Sequence, residues 1–204
     1  MSQTKRNLVK RMETMTHHTN QTFEEMNRAA LNWLAGRDPH DIAQKAGICY
    51  DAEHQTFSFS SMGTDLTVSY PDYRVTPQVD EWHYLLILHY LHLADGMPMT
   101  GQTISFGQMN AGMVRGGGID RKCESAICAM KDLDEAKLAA ICQRIGGRNI
   151  QSNADVSYQI PFLPNVPVIL NVWLPDEEFP VSGRLLLDAS VDHYFTIEDA
   201  VTMA

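Results

Sequence analysis

Residues 76–96 read TPQVDEWHYLLILHYLHLADG, and their apolar side chains fall on every face of a helix. Thr76 and Pro77 are typical of the start of a helix, and Gly96 is typical of its end. A helix that is apolar all round is buried, because any face left in water would expose hydrocarbon. The helical part, residues 78–94, has about 17 residues and is too short and too polar at its ends for a membrane span, which needs about 18 residues. The segment therefore predicts a helix over 78–94 in the centre of a globular domain.

The rest of the chain predicts helices and antiparallel strands around this centre. Capping residues and helical spacing predict helices over 22–36 and 38–47, over 120–130, after Asp132 or Asp134, and after Thr196. Alternating apolar residues predict a hairpin over 57–70 and strands over 156–160, 166–174 and 184–188. We therefore expect a single α+β domain over residues 21–204, with an antiparallel sheet, a buried central helix and flanking helices. Residues 1–20 are expected to form a disordered basic and polar tail.

The charge of the chain restricts its partners. Its 204 residues include 16 basic and 25 acidic side chains, which give a net charge of −9. This charge disfavours contact with a phosphate backbone, so nucleic acid is not an expected partner. The N-terminus lacks the apolar stretch of a secretory signal, and no apolar run is long enough for a membrane span. We therefore expect a cytoplasmic protein that does not interact with membranes.

The cysteines predict no structural zinc site. Cys49, Cys123, Cys128 and Cys142 form no CxxC pair and have no histidines at the spacing of a zinc ligand set. In the reducing cytoplasm they are expected to remain thiols. An iron–sulfur cluster with irregularly spaced ligands is the open alternative.

Residues 96–118 contain seven of the 13 glycines and four of the 11 methionines. A long segment without regular structure is usually functional or disordered in a compact domain. We expect a flexible loop that encloses a pocket together with the central helix and residues 176–194. Its polarizable methionines would suit a large flat ligand such as a tetrapyrrole, either a corrinoid or haem, unless they simply fill the core. The residues of this loop expected to contact the ligand are Met97, Met99, Phe106, Met109 and Met113.

Histidines are the candidates for proton transfer or ligand contact near neutral pH. His89 and His92 lie three residues apart on the predicted central helix, so they share one face. Both are therefore included in the candidate site. In the simpler alternative, His89 is a core residue whose ring nitrogens are satisfied by the backbone or by a carboxylate.

A second histidine lies near the C-terminus. His193 is followed by Tyr194 and preceded by Asp188 and Ser190, so the segment suggests a catalytic triad. Ser190 lacks the flanking glycines of a nucleophile elbow, and capping of a turn explains Asp188 and Ser190 more simply. His193 and Tyr194 remain in the candidate ligand site, and Glu177 or Asp188 is the expected acidic partner of a histidine.

Two charged segments complete the candidate site. Arg115 and Arg121 flank Gly116-Gly117-Gly118, and backbone amides at a helix start beside two arginines could hold an anion. Glu177 belongs to the acidic turn 176–178, which could bind a cation but is more simply a solvated turn.

Three stretches resemble a known family. LHYLHLADGMPMTGQTISF at 88–106, VPVILNVWLPDEEFP at 166–180 and LLLDASVDHYFTIEDAV at 185–201 are similar to domain-of-unknown-function family 3786 of anaerobic bacteria and archaea. Some members carry a cysteine-rich iron–sulfur module akin to those of corrinoid proteins, and this chain lacks that module. The chain also departs from the family pattern at 109–118. The resemblance implies a link to corrinoid or iron–sulfur metabolism.

Three functional hypotheses follow. The first is a cytoplasmic ligand-binding or accessory domain, linked by the resemblance to corrinoid, tetrapyrrole or iron–sulfur metabolism. The second is an enzyme that uses His89 or His193 with an acidic partner for proton transfer or metal binding. The third is a homo-oligomer in which the glycine- and methionine-rich loop forms the interface.

Overall fold

The computed structural model describes residues 23–130 and 133–204. Its helices are α1 (23–34), α2 (Pro39–Ala46), α3 (Glu81–Leu93), α4 (Gly112–Cys128), α5 (Glu135–Arg144) and α6 (Ile197–Met203). Its strands are β1 (Cys49–Asp51), β2 (Thr56–Ser61), β3 (Thr64–Ser69), β4 (Val75–Thr76), β5 (Thr103–Ile104), β6 (Arg148–Asn149), β7 (Val156–Leu163), β8 (Val166–Trp173) and β9 (Ser182–Asp188). Short 3₁₀ helices cover Phe106–Gln108 and Ala189–His193. The predicted tail and the predicted cap Thr22 lie outside the described residues.

The strands form two antiparallel sheets rather than one. The first has four strands in the order β1-β2-β3-β4, and the second has five in the order β5-β9-β8-β7-β6. The predicted strands over 156–160, 166–174 and 184–188 correspond to the three central strands of the second sheet. Helices and antiparallel sheets in one domain confirm the predicted α+β class.

Helix α3 is the buried centre that its sequence predicts. Its six buried side chains are Leu85, Leu86, Ile87, Leu88, Tyr90 and Leu91. The predicted start was wrong, because Thr76 belongs to β4 and the carboxylate of Asp80 caps the helix by accepting from the amides of Trp82 and His83. Trp82 lies in the first turn and is 48% exposed, so the first turn of α3 does not share the burial of the rest. Among the described helices, none is both long and apolar enough to cross a bilayer.

The local signals at the ends of several helices are confirmed. Asp38 caps α2 through the amide of His40, and Gly47 ends the helix at φ 65°. Gly36 follows α1 at φ 72°, a conformation that costs glycine little because it has no Cβ. Asp134, the second of the two predicted caps, begins α5 by accepting from the amide of Lys137 at 2.7 Å.

The predicted loop over 96–118 is wrong in its second half. Helix α4 begins at Gly112, so the glycine run 116–118 lies inside a helix. A Cβ on Gly112 or Gly116 would overlap the carbonyl oxygen of Phe106, so these glycines let the 3₁₀ turn pack directly on the helix backbone. One turn later, the carboxylate of Asp120 accepts from the amides of Phe106 and Gly107, each at 3.0 Å. The glycines therefore serve helix packing, a role that composition does not distinguish from flexibility.

The two sheets meet where the hairpin turns. Met62 and Gly63 form its two-residue turn, which is shorter than the six-residue turn predicted over 60–65. The amide of Met62 donates to the carbonyl of Pro161 at 2.7 Å, and the Ser61 hydroxyl donates to the carbonyl of Phe162. Strand β7 is therefore fixed to the end of the first sheet.

Candidate functional site

A cleft lies against strands β8 and β9. Helix α4 packs on one face of these strands, since a Cβ on Gly183 would lie 2.7 Å from Ile127. Gly183 pairs with Val172 on the face that α4 covers. Side chains alternate between the two faces of a strand, so the residues before and after these two point to the opposite face. These outward-facing side chains include Asn171 and Arg184, which are partners in the antiparallel register.

The cleft has a volume of about 850 Å³, within the range of small-molecule sites. The strands contribute Ile169, Asn171, Trp173, Ser182, Arg184 and Leu186 to its lining. The loop over 150–153, Thr103 of β5 and Glu124 of α4 contribute the other side chains used below. The cleft therefore combines an aromatic ring, two opposite charges and several neutral hydrogen-bonding groups.

A buried polar network lies beside the cleft. Asn171 is 6% exposed, and its Oδ1 accepts from the Ser157 hydroxyl at 2.7 Å. Because Ser157 donates its single hydroxyl hydrogen to Asn171, the hydroxyl of Ser152 must donate to Ser157. Among the described residues, no hydrogen bond uses the Asn171 Nδ2 group, which carries two N–H donors. In this arrangement the amide donors of Asn171 are left for a ligand.

The charged groups of the cleft are Arg184 and Glu124. The Arg184 guanidinium lies 6.0 Å from the centre of the Trp173 ring, a cation–π arrangement that orients it. Both charged side chains are exposed, and in the described part of the chain neither forms an ion pair. They also line a smaller adjoining cavity of about 330 Å³. The cleft therefore presents one cationic and one anionic group to a ligand.

His89 forms a pair with a carboxylate that the sequence did not indicate. Its Nδ1 donates to Oδ1 of Asp199 on α6 at 2.5 Å, so Glu177 and Asp188 were wrong as expected partners. Burial alone would raise the pKa of Asp199, but hydrogen bonds from His89 and Thr196 hold it below its ordinary value. Asp199 also completes the capping box of α6 with Thr196. The pair therefore ties α3 to α6, as the core interpretation of His89 expects.

His92 lies beside the same tryptophan as His89. Its ring stacks on Trp33 with centroids 5.0 Å apart, while His89 lies 5.6 Å from that ring. The Arg37 guanidinium donates to the carbonyl of His92 at 2.8 Å. Burial, followed by the charges of Arg37 and His89, lowers the pKa of His92, which favours its neutral form. The prediction that the two histidines share a face is confirmed.

His193 belongs to a separate pair. Its Nδ1 lies 2.6 Å from Oδ2 of Asp95, and this hydrogen bond lowers the pKa of Asp95. Asp188 instead accepts from the amide and hydroxyl of Ser190 and from Thr100 and Gly101. Capping therefore explains Asp188 and Ser190, and the described contacts do not connect His193 to Ser190.

The residues predicted around the glycine- and methionine-rich loop do not share one surface. Phe106, Met109 and Tyr194 are at most 3% exposed and belong to the main core, which contradicts their expected place in a ligand pocket wall. Met97 and Met99 are partly exposed, and Met113 is 92% exposed. The buried Tyr194 hydroxyl donates to the carbonyl of Met97, so it secures the loop. As binding residues, Met97, Met99 and Met113 remain a prediction.

The predicted charged residues are also separated. Arg115 pairs with Glu198 of α6, and Arg121 lines the adjoining cavity of about 330 Å³. The expected anion site at the start of a helix was wrong, because α4 begins before the glycine run and the run's amides lie within the helix. Glu177 is exposed in a turn that Asp176 closes by accepting from the amides of Glu178 and Phe179.

Neither the cleft nor the adjoining cavity coincides with the pocket predicted between the central helix, the loop 96–118 and residues 176–194, and a third cavity does not either. The third, of about 270 Å³, lies between Asn27, Tyr84 and residues 74–81. Of the predicted site residues, the three cavities include Arg121 alone. Within residues 23–130 and 133–204, no group of three His, Cys, Asp or Glu side chains is placed to hold a metal ion.

The sequence reasoning missed the residues of the cleft. Asn171, Trp173 and Arg184 come from two strands, and Glu124 comes from a helix. One signal was present, because Asn171 interrupts the otherwise apolar run VPVILNVWL. A polar side chain inside a buried strand needs a hydrogen-bonding partner or a function. The sequence of this strand could not show which residues of other elements lie beside Asn171.

Comparison with known proteins gives a family. The model of the family described as "Domain of unknown function (DUF3786)" matches residues 38–204. No curated protein and no solved structure matches the chain. The matched region includes both sheets, the cleft and the His89–Asp199 and His193–Asp95 pairs. Since the match covers most of the 204 residues, the chain belongs to the DUF3786 family.

Proposed function

We propose that this protein is a cytoplasmic ligand-binding domain that takes a polar small molecule in the cleft on β8 and β9. The supporting observation is the cleft of about 850 Å³ in which the Asn171 amide has N–H donors without a described protein partner. Trp173 offers a flat surface for a ligand, and Arg184 offers a charge-assisted donor. Aromatic groups with a few fixed polar groups are typical of ligand sites.

The lining of the cleft favours a polar ligand over an apolar one. Serine, threonine, asparagine and glutamine side chains share the lining with Glu124 and Arg184. An apolar ligand would displace water from these groups without replacing its hydrogen bonds, which would make binding less favourable. The link to corrinoid, tetrapyrrole or iron–sulfur metabolism comes from the family resemblance. We keep it as a hypothesis about the metabolic setting, which adding cobalamin and haem to the ligand screen will test.

The test is ligand binding monitored by the NMR signal of the Trp173 side chain. The chain has three tryptophans, so three indole N–H signals are expected in a ¹⁵N-correlated NMR spectrum, and a Trp173→Phe variant assigns the relevant one. A screen of polar metabolites, cobalamin and haem should yield a ligand that shifts this signal and raises the melting temperature. Asn171→Ala should weaken its binding about tenfold, which corresponds to the loss of about 1.4 kcal/mol.

The matched control is Trp82→Phe, which changes an exposed tryptophan on α3 outside the cleft lining. This variant should bind the ligand as the unchanged protein does. Ligands that shift the Trp33 signal and leave the Trp173 signal unchanged would place the site beside the histidines of α3. Such a result would refute the proposed cleft.

The enzyme alternative is favoured by one observation. His89 is held by the Asp199 carboxylate, and its side chain is 16% exposed beside Trp33. A carboxylate that orients an imidazole is the arrangement found in many proton-transfer sites. Mass spectrometry of ligands incubated with the protein tests this alternative. Product formation that disappears in His89→Gln would support it, and unchanged ligands would contradict it.

A further inference from the structure

We infer that the ligand of the cleft carries both an anionic and a cationic group, as the carboxylate and ammonium of a short peptide or a free amino acid do. This inference rests on the proposed function. It deepens that function by naming the ligand chemistry, which follows from the two charged groups that line the cleft.

Arg184 supplies the site for the anionic group. In the described part of the chain its guanidinium has no carboxylate partner, and the Trp173 ring lies 6.0 Å from it. A planar guanidinium can donate two parallel hydrogen bonds to a carboxylate. The cation–π contact with Trp173 favours this position of the guanidinium, so less side-chain freedom is lost when a carboxylate binds.

Glu124 supplies the site for the cationic group. It lies on α4, is exposed, and forms no ion pair with a described residue. Glu124 and Arg184 line the same cleft and the adjoining cavity, yet they do not form an ion pair with each other. A ligand with a positive and a negative end would satisfy both charges.

The groups around the charges match the middle of such a ligand. The Asn171 N–H donors suit a peptide carbonyl, while Ile169, Leu186 and Trp173 offer apolar contact to a side chain. A cleft of about 850 Å³ is larger than one amino acid needs, which favours a short peptide. A purely anionic ligand such as a nucleotide would face repulsion from Glu124, and a neutral sugar would use neither charge.

The experiment compares free and blocked forms of two probes by titration calorimetry. The probes are phenylalanine and the tripeptide Gly-Phe-Gly, each free, N-acetylated or C-amidated, added to the full chain. We expect the free forms to bind, and each block to weaken binding at least tenfold. Tighter binding of the tripeptide identifies peptides as the ligand class, and tighter binding of phenylalanine identifies free amino acids.

Two variants assign each end of the probe to its residue. Arg184→Gln should weaken binding of the free probe and remove the further effect of C-amidation. Glu124→Gln should do the same for N-acetylation. Glu53→Gln, which changes an exposed glutamate outside the cleft lining, is the control that should leave all affinities unchanged. Melting curves of the variants confirm that each is folded before its affinity is compared.

The outcomes separate this inference from the proposed function. Equal binding of free and blocked probes overturns the inference. It is also overturned if no probe binds while another polar compound still shifts the Trp173 signal, and in that case the proposed cleft stands. If no compound shifts the Trp173 signal, both fail.

Discussion

Gly116 of α4 lies directly against the carbonyl oxygen of Phe106, so that a Cβ at this position would overlap it. The next residue, Gly117, would have no atom within 4 Å of its Cβ, although both glycines belong to the same helix. Two adjacent glycines therefore have opposite requirements. The first is needed for a close approach, and the second is not.

We expect Gly117→Ala to stabilise the protein and Gly116→Ala to destabilise it. Alanine in a helix interior gains about 0.5–1 kcal/mol over glycine when it meets no obstacle. At Gly116 that gain is outweighed by overlap with the turn, which costs about 1–3 kcal/mol. Urea unfolding of the two variants measures both changes. Stabilisation by both substitutions would show that the 106–108 turn does not pack on α4.

Removing the carboxylate of Asp199 should destabilise the protein strongly. Asp199 is 4% exposed, accepts from His89, and caps α6 through Thr196. Losing a cap and a charged hydrogen bond should cost Asp199→Ala about 2–3 kcal/mol in the free energy of unfolding. His89→Gln should cost less, because α6 keeps its cap. If His89→Gln has no effect on the melting curve, the pair is not structural.

The Asp199 pair also predicts a pH dependence. The pKa of Asp199 is lowered in the folded protein, so the folded state stabilises the ionised carboxylate. This stabilisation is fully present above the ordinary aspartate pKa, and it is lost as the pH falls through the lowered folded value. The difference in unfolding free energy between the unchanged protein and Asp199→Ala should therefore shrink only in strong acid. A difference that already shrinks near neutral pH would contradict this assignment.

His83 should make the protein less stable in mild acid. Its Nε2 lies 2.9 Å from the Ser61 hydroxyl, which donates its own hydrogen to Phe162, so the imidazole must be the donor. Burial lowers the pKa of His83 below its ordinary value of about 6.5. The unfolded chain therefore binds a proton first as the pH falls, which favours unfolding until the folded pKa is passed.

His83→Gln keeps a donor to Ser61 and removes this titration. We expect the free energy of unfolding of this variant to fall furthest below that of the unchanged protein at pH 7.5. The difference should decrease towards pH 5, because the unchanged protein loses stability there. His54→Gln is the matched control, since His54 is exposed and, among the described residues, hydrogen-bonds only to Asp51 three positions before it. A difference that stays constant with pH would show that His83 does not titrate with unfolding.

Two of the four cysteines should react with a thiol reagent in the folded protein. Cys49 and Cys128 are exposed, whereas Cys123 and Cys142 are buried and burial raises the pKa of both thiols. Because the thiolate is the reactive form, the buried pair should be protected. Titration with Ellman's reagent should count two thiols before denaturation and four after it. Four fast thiols in the folded state would contradict the described packing.

Local sequence signals determined most of the element types. The apolar run around Leu88 predicted the buried helix, because no face of it could remain in water. Asp38, Gly47, Asp134 and Thr196 marked helix ends correctly, since a cap depends on residues within one turn. Both the α+β class and the family resemblance followed from such short-range patterns.

Tertiary structure alone decided what those residues do. Asp199 is 110 positions from His89, so the spacing around the histidine could not reveal its partner. The glycine run reads as a flexible loop in sequence, and only the 106–108 turn packed against it explains why glycine is needed. The cleft likewise exists because antiparallel pairing places Arg184 opposite Asn171 while α4 covers the other face of their strands. Hydrogen bonds and contacts between distant segments set these relationships, and local sequence patterns do not show which distant segments meet.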